Sequence, residues 1–399
     1  MLNEYFADLH IHIGRTEKGA SVKISGSRDL TFYNIAMEAS ERKGMDIVGI
    51  IDCHSPGVLD DIEQYLLKGE MIELEGGGLA YQRTTIFLGS EIEVKDEGMS
   101  GPIHLLAFVP DVDQMRRLSS WLSTRMTNVH LSSQRLYASA KELQEKVLEH
   151  DGLLIPAHIF TPYKSIYGAA ASSMAPFFDL EYLHAVELGL SADTEMADHL
   201  SELNAMTFLS NSDAHSLAKI GREYNKIRMR APNFDEFKKA MRRQEGRCVA
   251  VNYGLNPRLG KYHRTYCLTC ERVLERERWQ AEADPDFSCP HCSGTKFVKG
   301  VMDRIEEIAD LQHSESPSHR PPYHYQVPLE FIPGLGKKTM EKLLDHFSTE
   351  MNILHNVSRQ DLAEVTGEKI ADYIEQARNG TLALSSGGGG KYGKVKHDS

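Results

Sequence analysis

The chain has 399 residues, of which 41% are hydrophobic and 26% charged, and its formal net charge is −12. This length allows a large domain with one or two small modules, and the longest apolar stretches are strand-length, which excludes a membrane span and favours a cytoplasmic protein. The negative net charge excludes wholesale attraction to nucleic acid, so any such contact must come from local geometry.

Three short segments along the chain place ligand-type side chains two residues apart. They are Asp8-Leu9-His10-Ile11-His12, Asp52-Cys53-His54 and Asp213-Ala214-His215. In a β-strand, residues i and i+2 project to the same face, so each segment can present its polar side chains together. We therefore expect these segments to meet at one rim of the fold.

Apolar, strand-like runs between these segments carry single metal-type residues. These residues are Glu91, His104, His158 and Glu187. Runs of this kind are typical of the strands of a closed parallel barrel, whose site lies at the carboxyl rim. His104 alone could be an ordinary core histidine, but the set predicts a metal site. Asp8 and Glu187 can either bind metal or orient an imidazole from behind, and the sequence leaves both options open.

Imidazoles and carboxylates without cysteine favour zinc, manganese or iron, and magnesium at carboxylate-rich positions. Glu91 is the natural bridge between two ions. Two ions about 3.5 to 4 Å apart can stabilise both the attacking and the leaving oxygen of a phosphoryl displacement, and one of them can generate hydroxide. The sequence therefore predicts hydrolysis of a phosphoester by metal-activated hydroxide, with Glu91, Asp213 and His215 nearest the chemistry.

The order of these residues resembles the polymerase-and-histidinol-phosphatase (PHP) superfamily over residues 1–230. The resemblance implies a distorted seven-stranded β/α barrel with two to three divalent ions. It implies one ion on His10, His12, Glu91 and Asp213, a second on Glu91, His104 and His158, and a third on His215 with Asp52 or His54. Two departures concern the third ion: Cys53 interrupts an Asp-His pair, and Gly14 and Arg15 stand where many members have another histidine.

Four cysteines follow the barrel sequence with the C-x2-C…C-x2-C spacing of a structural zinc site. They are Cys267, Cys270, Cys289 and Cys292. Disulfides are the alternative, but the expected cytoplasmic location disfavours them. Four thiolates complete the coordination of zinc, so we expect this ion to organise the fold without taking part in chemistry.

The C-terminal part begins with a polar, proline-rich segment and continues with Pro333-Gly334-Leu335-Gly336-Lys337-Lys338-Thr339. This stretch resembles helix-hairpin-helix modules that grip a nucleic-acid backbone. Gly334 and Gly336 permit close approach, the amides at the next helix N-terminus face phosphate oxygens, and Lys337 and Lys338 add charge. A weaker second copy follows at 362–370.

The combination of a phosphoesterase barrel, a four-cysteine module and a helical hairpin resembles the endonuclease Q family over nearly the whole chain. Four stretches support this resemblance: Asn211–Ser216, Lys219–Arg222, Arg320–Tyr323 and Phe331–Gly336. Members cut DNA on the 5′ side of deaminated bases, such as uracil, hypoxanthine and xanthine, and of abasic sites, and they depend on divalent metal. The resemblance therefore implies a DNA-repair endonuclease.

The predicted fold class is α/β, a PHP-type barrel followed by a zinc module and a helix-hairpin-helix-like region. The predicted domains are a barrel at 1–250, a zinc module at 251–300, a linker or laid-on loop at 301–328, a DNA-binding helical region at 329–380 and a disordered Gly/Lys-rich tail at 381–399.

The loop Thr161–Gly168, directly after His158, is the best candidate for a lesion pocket at the barrel rim. Tyr163 or Tyr167 could stack on a base, Lys164 could meet a phosphate, and Arg222 could hold the scissile phosphate. The alternative is a loop that only packs on the barrel, with Arg222 in a structural ion pair.

Two other functions stay open at this stage. One is a PHP-type phosphatase or nuclease that acts on small phosphoesters or undamaged ends, and the other is a non-catalytic DNA-binding scaffold. Damaged DNA is the expected partner, which would associate the protein with the nucleoid. A sliding clamp or other repair proteins are further candidates, although no clamp-binding peptide is recognised, and a monomer is the default.

Overall fold

The structure, a computed structural model, describes residues 1–274, 288–385, 387–391 and 393–395. None of the helices in these ranges is both long and apolar enough to cross a membrane. The barrel strands are β1 Asn3–Ile11, β2 Ile47–Ile50, β3 Ile72–Glu73, β4 Leu79–Tyr81, β5 Thr84–Val94, β6 Ile103–Val109, β7 Leu153–Pro156, β8 Ala185–Glu187, β9 Thr207–Leu209, β10 Tyr224–Met229 and β11 Cys248–Gly254.

The helices lie between these strands and in a C-terminal group. They are α1 Phe32–Met37, α2 Pro56–Leu67, α3 Val112–Ser123, α4 Ala140–Glu149, α5 Thr194–Ala197, α6 Phe234–Met241, α7 Val301–Ile308, α8 Lys337–Phe347, α9 Glu350–His355, α10 Arg359–Thr366 and α11 Glu368–Arg378. The short strands after the barrel are β12 Tyr266–Cys267, β13 Phe297–Val298, β14 Tyr323–Tyr325, β15 Leu384–Ser385 and β16 Lys394–Val395.

The main sheet is ten-stranded and of mixed direction. Strands β1, β2 and β5 run parallel, whereas β6 is antiparallel to β5, β7 is antiparallel to β6, and β10 is antiparallel to β1. The parallel pair β8 and β9 lies between β7 and β11 and closes the curved sheet. The expected α/β barrel is present, but the prediction that its strands are all parallel is wrong.

The strands are almost wholly apolar because their side chains are buried in the barrel. Phe87, Leu106 and Phe108 belong to one buried cluster that β1, β2, β5 to β10 and α6 build together. Helix α6 contributes Phe234 and Phe237, whose rings pack against Phe87. Burial of such side chains stabilises the fold by about 1.5 to 3 kcal/mol each. The candidate ligands lie at the other end of the same strands.

The sheet extends beyond the predicted barrel boundary at residue 250. Strand β11 continues to Gly254, and β14 pairs with it in parallel. The predicted linker at 301–328 is therefore partly regular, since it contains α7 and β14. The loop between them lies against the barrel, where Arg320 contacts Asp198 (Nη2 to Oδ1, 2.8 Å) and covers the ring of Phe208.

The tail differs from the predicted disorder wherever the structure describes it. Strands β15 and β16 form a hairpin, and Gly387 N and Gly393 N donate to Arg258 O and Leu259 O at 2.7 and 2.9 Å. Glycine lacks a Cβ, so this backbone can approach closely and pair without a side-chain core. Residues 386, 392 and 396–399 of the predicted tail, and 275–287 of the predicted zinc module, lie outside the described residues.

The C-terminal helices are fixed to the barrel. His355 at the end of α9 stacks on Phe6 with the ring centroids 4.5 Å apart, and its Nε2 lies 2.7 Å from the hydroxyl of Tyr224. Lys43 pairs with Glu350 at 3.0 Å. The helical region therefore has a defined position relative to the barrel.

Candidate active site

Six predicted ligands converge at one rim of the barrel in two groups. His10, His12 and Asp213 form one group, and Glu91, His104 and His158 form the other; within each group one ligand atom per residue lies within 4.8 Å of the others. Glu91 joins the groups, because its Oε1 lies 3.5 Å from His10 Nε2 and 3.6 Å from His158 Nε2. The bridging position predicted for Glu91 is consistent with this geometry.

Strand direction explains how residues at different strand positions reach the same rim. Glu91 and His158 lie in or after strands that run toward the rim, whereas His104 is near the start of β6, which runs away from it. Glu93 of β5 is the direct partner of His104 in the antiparallel ladder. The register in which β1 pairs with β2 shifts between Asp8 and Ile11, and His10 lies in this irregular part of the strand.

The spacing of the donor atoms fits a metal ion. Asp213 Oδ1 lies 3.4 Å from His10 Nε2 and 3.5 Å from His12 Nε2. Ligands placed tetrahedrally at about 2.1 Å from an ion are about 3.4 Å apart. Both Nε2 atoms are buried and accept no hydrogen bond from any described residue. A buried polar atom without a partner is costly, and an ion would satisfy both nitrogens.

Carboxylates behind the two histidines fix the orientation of their rings. Glu187 lies 2.9 Å from His10 Nδ1 and Asp52 Oδ2 lies 3.0 Å from His12 Nδ1, so each Nε2 faces the centre. Burial opposes ionisation of Asp52, but His12 and Lys23 lower its pKa to about 2. Of its two expected roles, Glu187 has the contact of an orienting carboxylate, and Asp52 Oδ2 makes the same kind of contact with His12.

His54 and His215 differ from the other histidines. His54 is fully buried, burial lowers its pKa, and it lies outside the cavity that the described residues enclose. His215 lines the cavity, with its ring 4.5 Å from that of His12. Within the described ranges, no third group of three ligands includes His215, Asp52 or His54. His54 Nδ1 and Nε2 and Asp52 Oδ1 are buried without a hydrogen-bond partner among the described residues, and the third ion implied by the resemblance stays a prediction.

Asp8 does not orient an imidazole, contrary to one of its two expected roles. Its Oδ1 accepts a hydrogen bond from Ser212 N at 3.0 Å and its Oδ2 accepts one from Gly221 N at 2.8 Å. Asp8 is buried. Through these two hydrogen bonds it holds both ends of the segment that carries Asp213 and His215. Its effect on the site is exerted through this backbone.

Lys23 is a site residue that the sequence analysis missed. Its Nζ lies 3.2 Å from Glu91 Oε2 and 2.6 Å from Ser133 Oγ, and the side chain is largely buried. Burial opposes its charge, but Glu91, Asp52 and Asp213 outweigh burial and raise the pKa of Lys23. A lysine in a loop carries no sequence signal for such a role, because its reach depends on how the loop folds.

Two of the ligands have unusual backbone conformations. Asp213 has φ of 47° and His158 has φ of 31°, in the left-handed region that non-glycine residues rarely adopt. Such conformations cost about 1 to 3 kcal/mol each and persist where the surroundings fix them.

Asn211 is another site residue that the sequence analysis missed. Its Nδ2 donates to Glu187 Oε2 at 2.8 Å, so it helps to hold the carboxylate behind His10.

A cavity of about 470 Å³ opens above the ligands. Its lining includes Tyr163 and Lys164 of the predicted lesion loop, and Lys261 and Tyr262 from the segment leading into the cysteine module. The rings of Tyr163 and Tyr262 meet edge to face, 5.8 Å apart. Arg222 also lines this cavity, whose volume is typical of a small-molecule or nucleotide site.

Tyr167 does not face the cavity, so its predicted stacking on a base is wrong. It is fully buried, it stacks on Phe160 with the ring centroids 5.4 Å apart, and its hydroxyl donates to Glu202 Oε2 at 2.6 Å. Tyr163, by contrast, is 51% exposed at the cavity mouth. Lys164 lies 2.7 Å from Glu93, also at this rim.

The four cysteines come together in a second cluster. Their Sγ atoms lie within 4.8 Å of one another, with Cys267 to Cys292 at 3.6 Å and Cys270 to Cys289 at 3.7 Å. These distances exceed the 2.05 Å of a disulfide, and they fit the spacing of about 3.8 Å expected for four thiolates around one zinc ion. The residues predicted for structural zinc are thus correctly grouped.

The predicted DNA-binding hairpin leads into α8. Gly334 has φ of 80°, Gly336 is the N-cap of α8, and Lys337 and Lys338 are exposed on its first turn. The second, weaker copy lies between α10 and α11 at Gly367, whose φ is 86°. The first hairpin differs from prediction on its upstream side, where a single 3-10 turn at Leu329–Phe331 replaces a helix.

Comparisons with known proteins agree on fold and family. The sequence profile of the PHP-associated family matches residues 193–245. The uncharacterized protein YqxK of Bacillus subtilis (strain 168) is 49% identical over 396 residues, which is 99% of this chain and 100% of that protein. The lesion-specific endonuclease PfuEndoQ of Pyrococcus furiosus matches with a TM-score of 0.84 and 33% identity, over 99% of this chain and 95% of that one.

A second solved structure is endonuclease Q in complex with a 27-mer duplex substrate that has an abasic lesion at the active site. It matches with a TM-score of 0.84 and 32% identity, over 99% of this chain and 97% of that chain. Together these similarities confirm the predicted PHP-type α/β fold.

Proposed function

This chain belongs to the endonuclease Q family and is a metal-dependent nuclease, and we propose that it cuts DNA on the 5′ side of deaminated bases and abasic sites. The candidate lesions are uracil, hypoxanthine, xanthine and the abasic site itself. The observation that carries this proposal is the pair of ligand groups joined by Glu91 at the floor of a nucleotide-sized cavity.

Two divalent ions would be held by His10, His12 and Asp213 and by Glu91, His104 and His158. When bound, they would polarise the phosphate, lower the pKa of an attacking water and stabilise the leaving oxygen. The chain's own contribution is to hold the donors rigidly, through Glu187 and Asp52 behind the imidazoles. The ion identities are open among zinc, manganese, magnesium and iron, whereas the cysteine cluster suits zinc.

Lys23 supplies a fixed positive charge beside Glu91. Its ammonium group faces Glu91 and lies close enough to Asp52 and Asp213 to interact with both charges. Asp52 Oδ2 contacts His12 Nδ1 and Ile13 N, at 3.0 and 2.8 Å. We therefore infer that Lys23 balances part of the negative charge of the carboxylates in the centre.

Two further cations suit a phosphate at the cavity. Arg222 lines it, and its Nε donates to Ser212 O at 2.8 Å, which fixes the guanidinium beside the segment of Asp213 and His215. Lys164 is exposed and also lines the cavity. Arginine in a fixed position recognises phosphate oxygens well, because its planar fork donates in pairs.

A route for the DNA backbone leads from the cavity to the hairpin of α8. Lys219 lies three residues before Arg222, pairs with Glu330 at 2.6 Å and lies over the ring of Phe331. The hairpin then presents Lys337 and Lys338 at the start of α8. Such backbone contacts position a duplex without reading its sequence, so the specificity must come from the cavity.

Lesion recognition would require the damaged nucleotide to leave the helix and enter the cavity. Deaminated or abasic nucleotides unstack at lower cost than intact pairs, which favours their extrusion. Tyr163 and Tyr262 offer aromatic surface at the mouth, and Lys261 offers a donor to the carbonyl that deamination creates. A donor at this position would favour a base carbonyl over the amine that it replaces.

The proposal is tested with end-labelled duplexes that carry one uracil, hypoxanthine, xanthine or abasic site, incubated with the purified chain and manganese or magnesium. We expect one cut on the 5′ side of each lesion and none in the matched undamaged duplex. Cleavage of undamaged ends or of a generic phosphatase substrate at comparable rates would support a general PHP-type enzyme. Binding without any cleavage would support a scaffold.

A further inference from the structure

We propose that Ile24 is a wedge that enters the duplex and fills the gap left when a lesion nucleotide turns into the cavity. This inference rests on the proposed function. Ile24 is an apolar residue whose side chain is 82% exposed, next to the candidate active site. Exposed single apolar residues are common on protein surfaces, so the argument depends on where this one is held.

Ile24 lies at the tip of a tight turn. Gly26 N donates to Lys23 O at 3.0 Å, which closes a four-residue turn with Ile24 and Ser25 at its centre. The turn is anchored on both sides: Lys23 N donates to Ile13 O at 2.8 Å, and Ser27 N donates to His215 O at 2.8 Å. The tip is therefore a fixed projection beside the ligands.

The residues on either side of Ile24 belong to the site. Lys23 reaches inward to Glu91, and Ser25 lines the cavity. Consecutive Cα atoms are 3.8 Å apart, so the backbone of Ile24 lies within about 4 Å of both neighbours. In the proposed complex, a nucleotide that enters the cavity passes this projection, and the base stack that it leaves lies close to it.

The side chain of Ile24 suits a wedge. Two heavy atoms on its Cβ restrict χ1, so the group is stiff and little conformational entropy is lost when it is inserted. Proteins that unstack DNA commonly insert apolar side chains such as isoleucine between base steps. The contacts that the protein gains offset an unstacking cost of a few kcal/mol. The exposed apolar surface of Ile24 would be buried only in such a complex.

Tyr163 is the other exposed apolar residue at the cavity, and its role differs. Its ring contacts the ring of Tyr262 edge to face, and both tyrosines line the cavity. Tyr163 is placed to contact the extruded nucleotide, whereas Ile24 is placed to contact the remaining stack. The two residues should therefore respond differently to strand structure.

The test compares Ile24→Ala with Ile72→Ala, because Ile72 is another exposed isoleucine (65%), in β3 and outside the cavity lining given by the described residues. Each variant is assayed on one lesion placed in a duplex and in a single strand, where no stack opposes extrusion. We expect Ile24→Ala to slow duplex incision about tenfold or more and to leave single-strand incision within about twofold. Ile72→Ala should match the wild type on both substrates.

Two further measurements keep the inference distinct from a loss of fold or of function. Ile24→Val, which keeps the branched Cβ, should recover most of the duplex activity, and 2-aminopurine next to the lesion should brighten with wild type but less with Ile24→Ala. Equal losses on both substrates, or no loss on either, would overturn the wedge. Absence of lesion-dependent incision by the wild type would instead overturn the proposed function.

Discussion

The chain has two clusters of metal-type side chains, and they are built in opposite ways. The histidine and carboxylate centre lies under an open cavity, and Glu187 and Asp52 orient its imidazoles from behind. The four cysteines instead surround one point with a small core of Leu274 and the buried Cys267 and Cys289. An open cluster can admit substrate, whereas a closed one can only hold the chain together.

The donor types of the two clusters also indicate that only the histidine and carboxylate centre can be catalytic. Four thiolates satisfy a zinc ion, so they leave it no position for water. The histidine centre offers two groups of three donors with Glu91 shared between them, which leaves coordination positions free for water and phosphate, as catalysis requires. The comparison therefore predicts that damage to the first centre removes activity and that damage to the second removes stability.

The largest effect is expected at Asp213. Asp213→Asn removes a charged donor from the group with His10 and His12, and an ion supplies several kcal/mol to the transition state, so incision should fall by about a thousandfold or more. Duplex binding, followed by fluorescence anisotropy, should stay close to that of the wild type. Undiminished incision by this variant would show that the centre is assigned wrongly.

A smaller loss is expected behind the imidazoles. Glu187→Gln and Asp52→Asn each weaken the carboxylate that orients one histidine, and such changes typically cost 10- to 100-fold in metal affinity or activity. Both the incision rate and the bound metal per chain, by elemental analysis, should be measured. Glu63→Gln, at an exposed ion pair with Arg116, is the matched control and should change neither. An effect of the control equal to that of Asp52→Asn would contradict the orienting role.

A third, moderate effect is expected at Lys23, whose charge balances the carboxylates of the centre. Lys23→Met removes the charge that faces Glu91, and we expect about a tenfold loss of incision, in line with one charge-assisted contact. Metal content should not fall below that of the wild type, since Lys23 repels rather than binds cations. Loss of one metal ion per chain in this variant would contradict the assignment.

The smallest effect on incision is expected at the cysteines. Cys270→Ser with Cys289→Ser breaks the cluster, and we expect a lower melting temperature and loss of one zinc per chain, with incision at low temperature within several-fold of wild type. Cys248→Ser, outside the cluster, is the control. Unchanged melting and zinc content in the double variant would refute a structural zinc site.

The spacing of polar residues in the sequence predicted much of the centre correctly. Residues two apart on a strand share a face, and apolar runs mark the strands, so His10, His12, Glu91, His104, His158 and Asp213 could be grouped before any contact was known. The C-x2-C pairs predicted the cysteine cluster equally directly, because both cysteines of each pair lie in one short turn.

The places where the sequence-based predictions and the structure differ have a common cause. Tyr167 and Tyr163 lie in the same loop, four residues apart, yet one is buried against Phe160 and the other faces the cavity. Asp52 resembles a ligand locally, and only the position of His12 across the sheet makes it an orienting carboxylate. Sequence periodicity indicates which face a side chain shares, but not which distant residue it meets.

The sequence by itself therefore determined the kinds of side chain, their spacing along strands and turns, and hence the two types of metal cluster. The tertiary structure alone decided the strand directions, the number of ligand groups, the inward reach of Lys23 and the exposed position of Ile24. The physical reason is that spacing is a local property of the backbone, whereas these features depend on contacts between segments far apart in the chain.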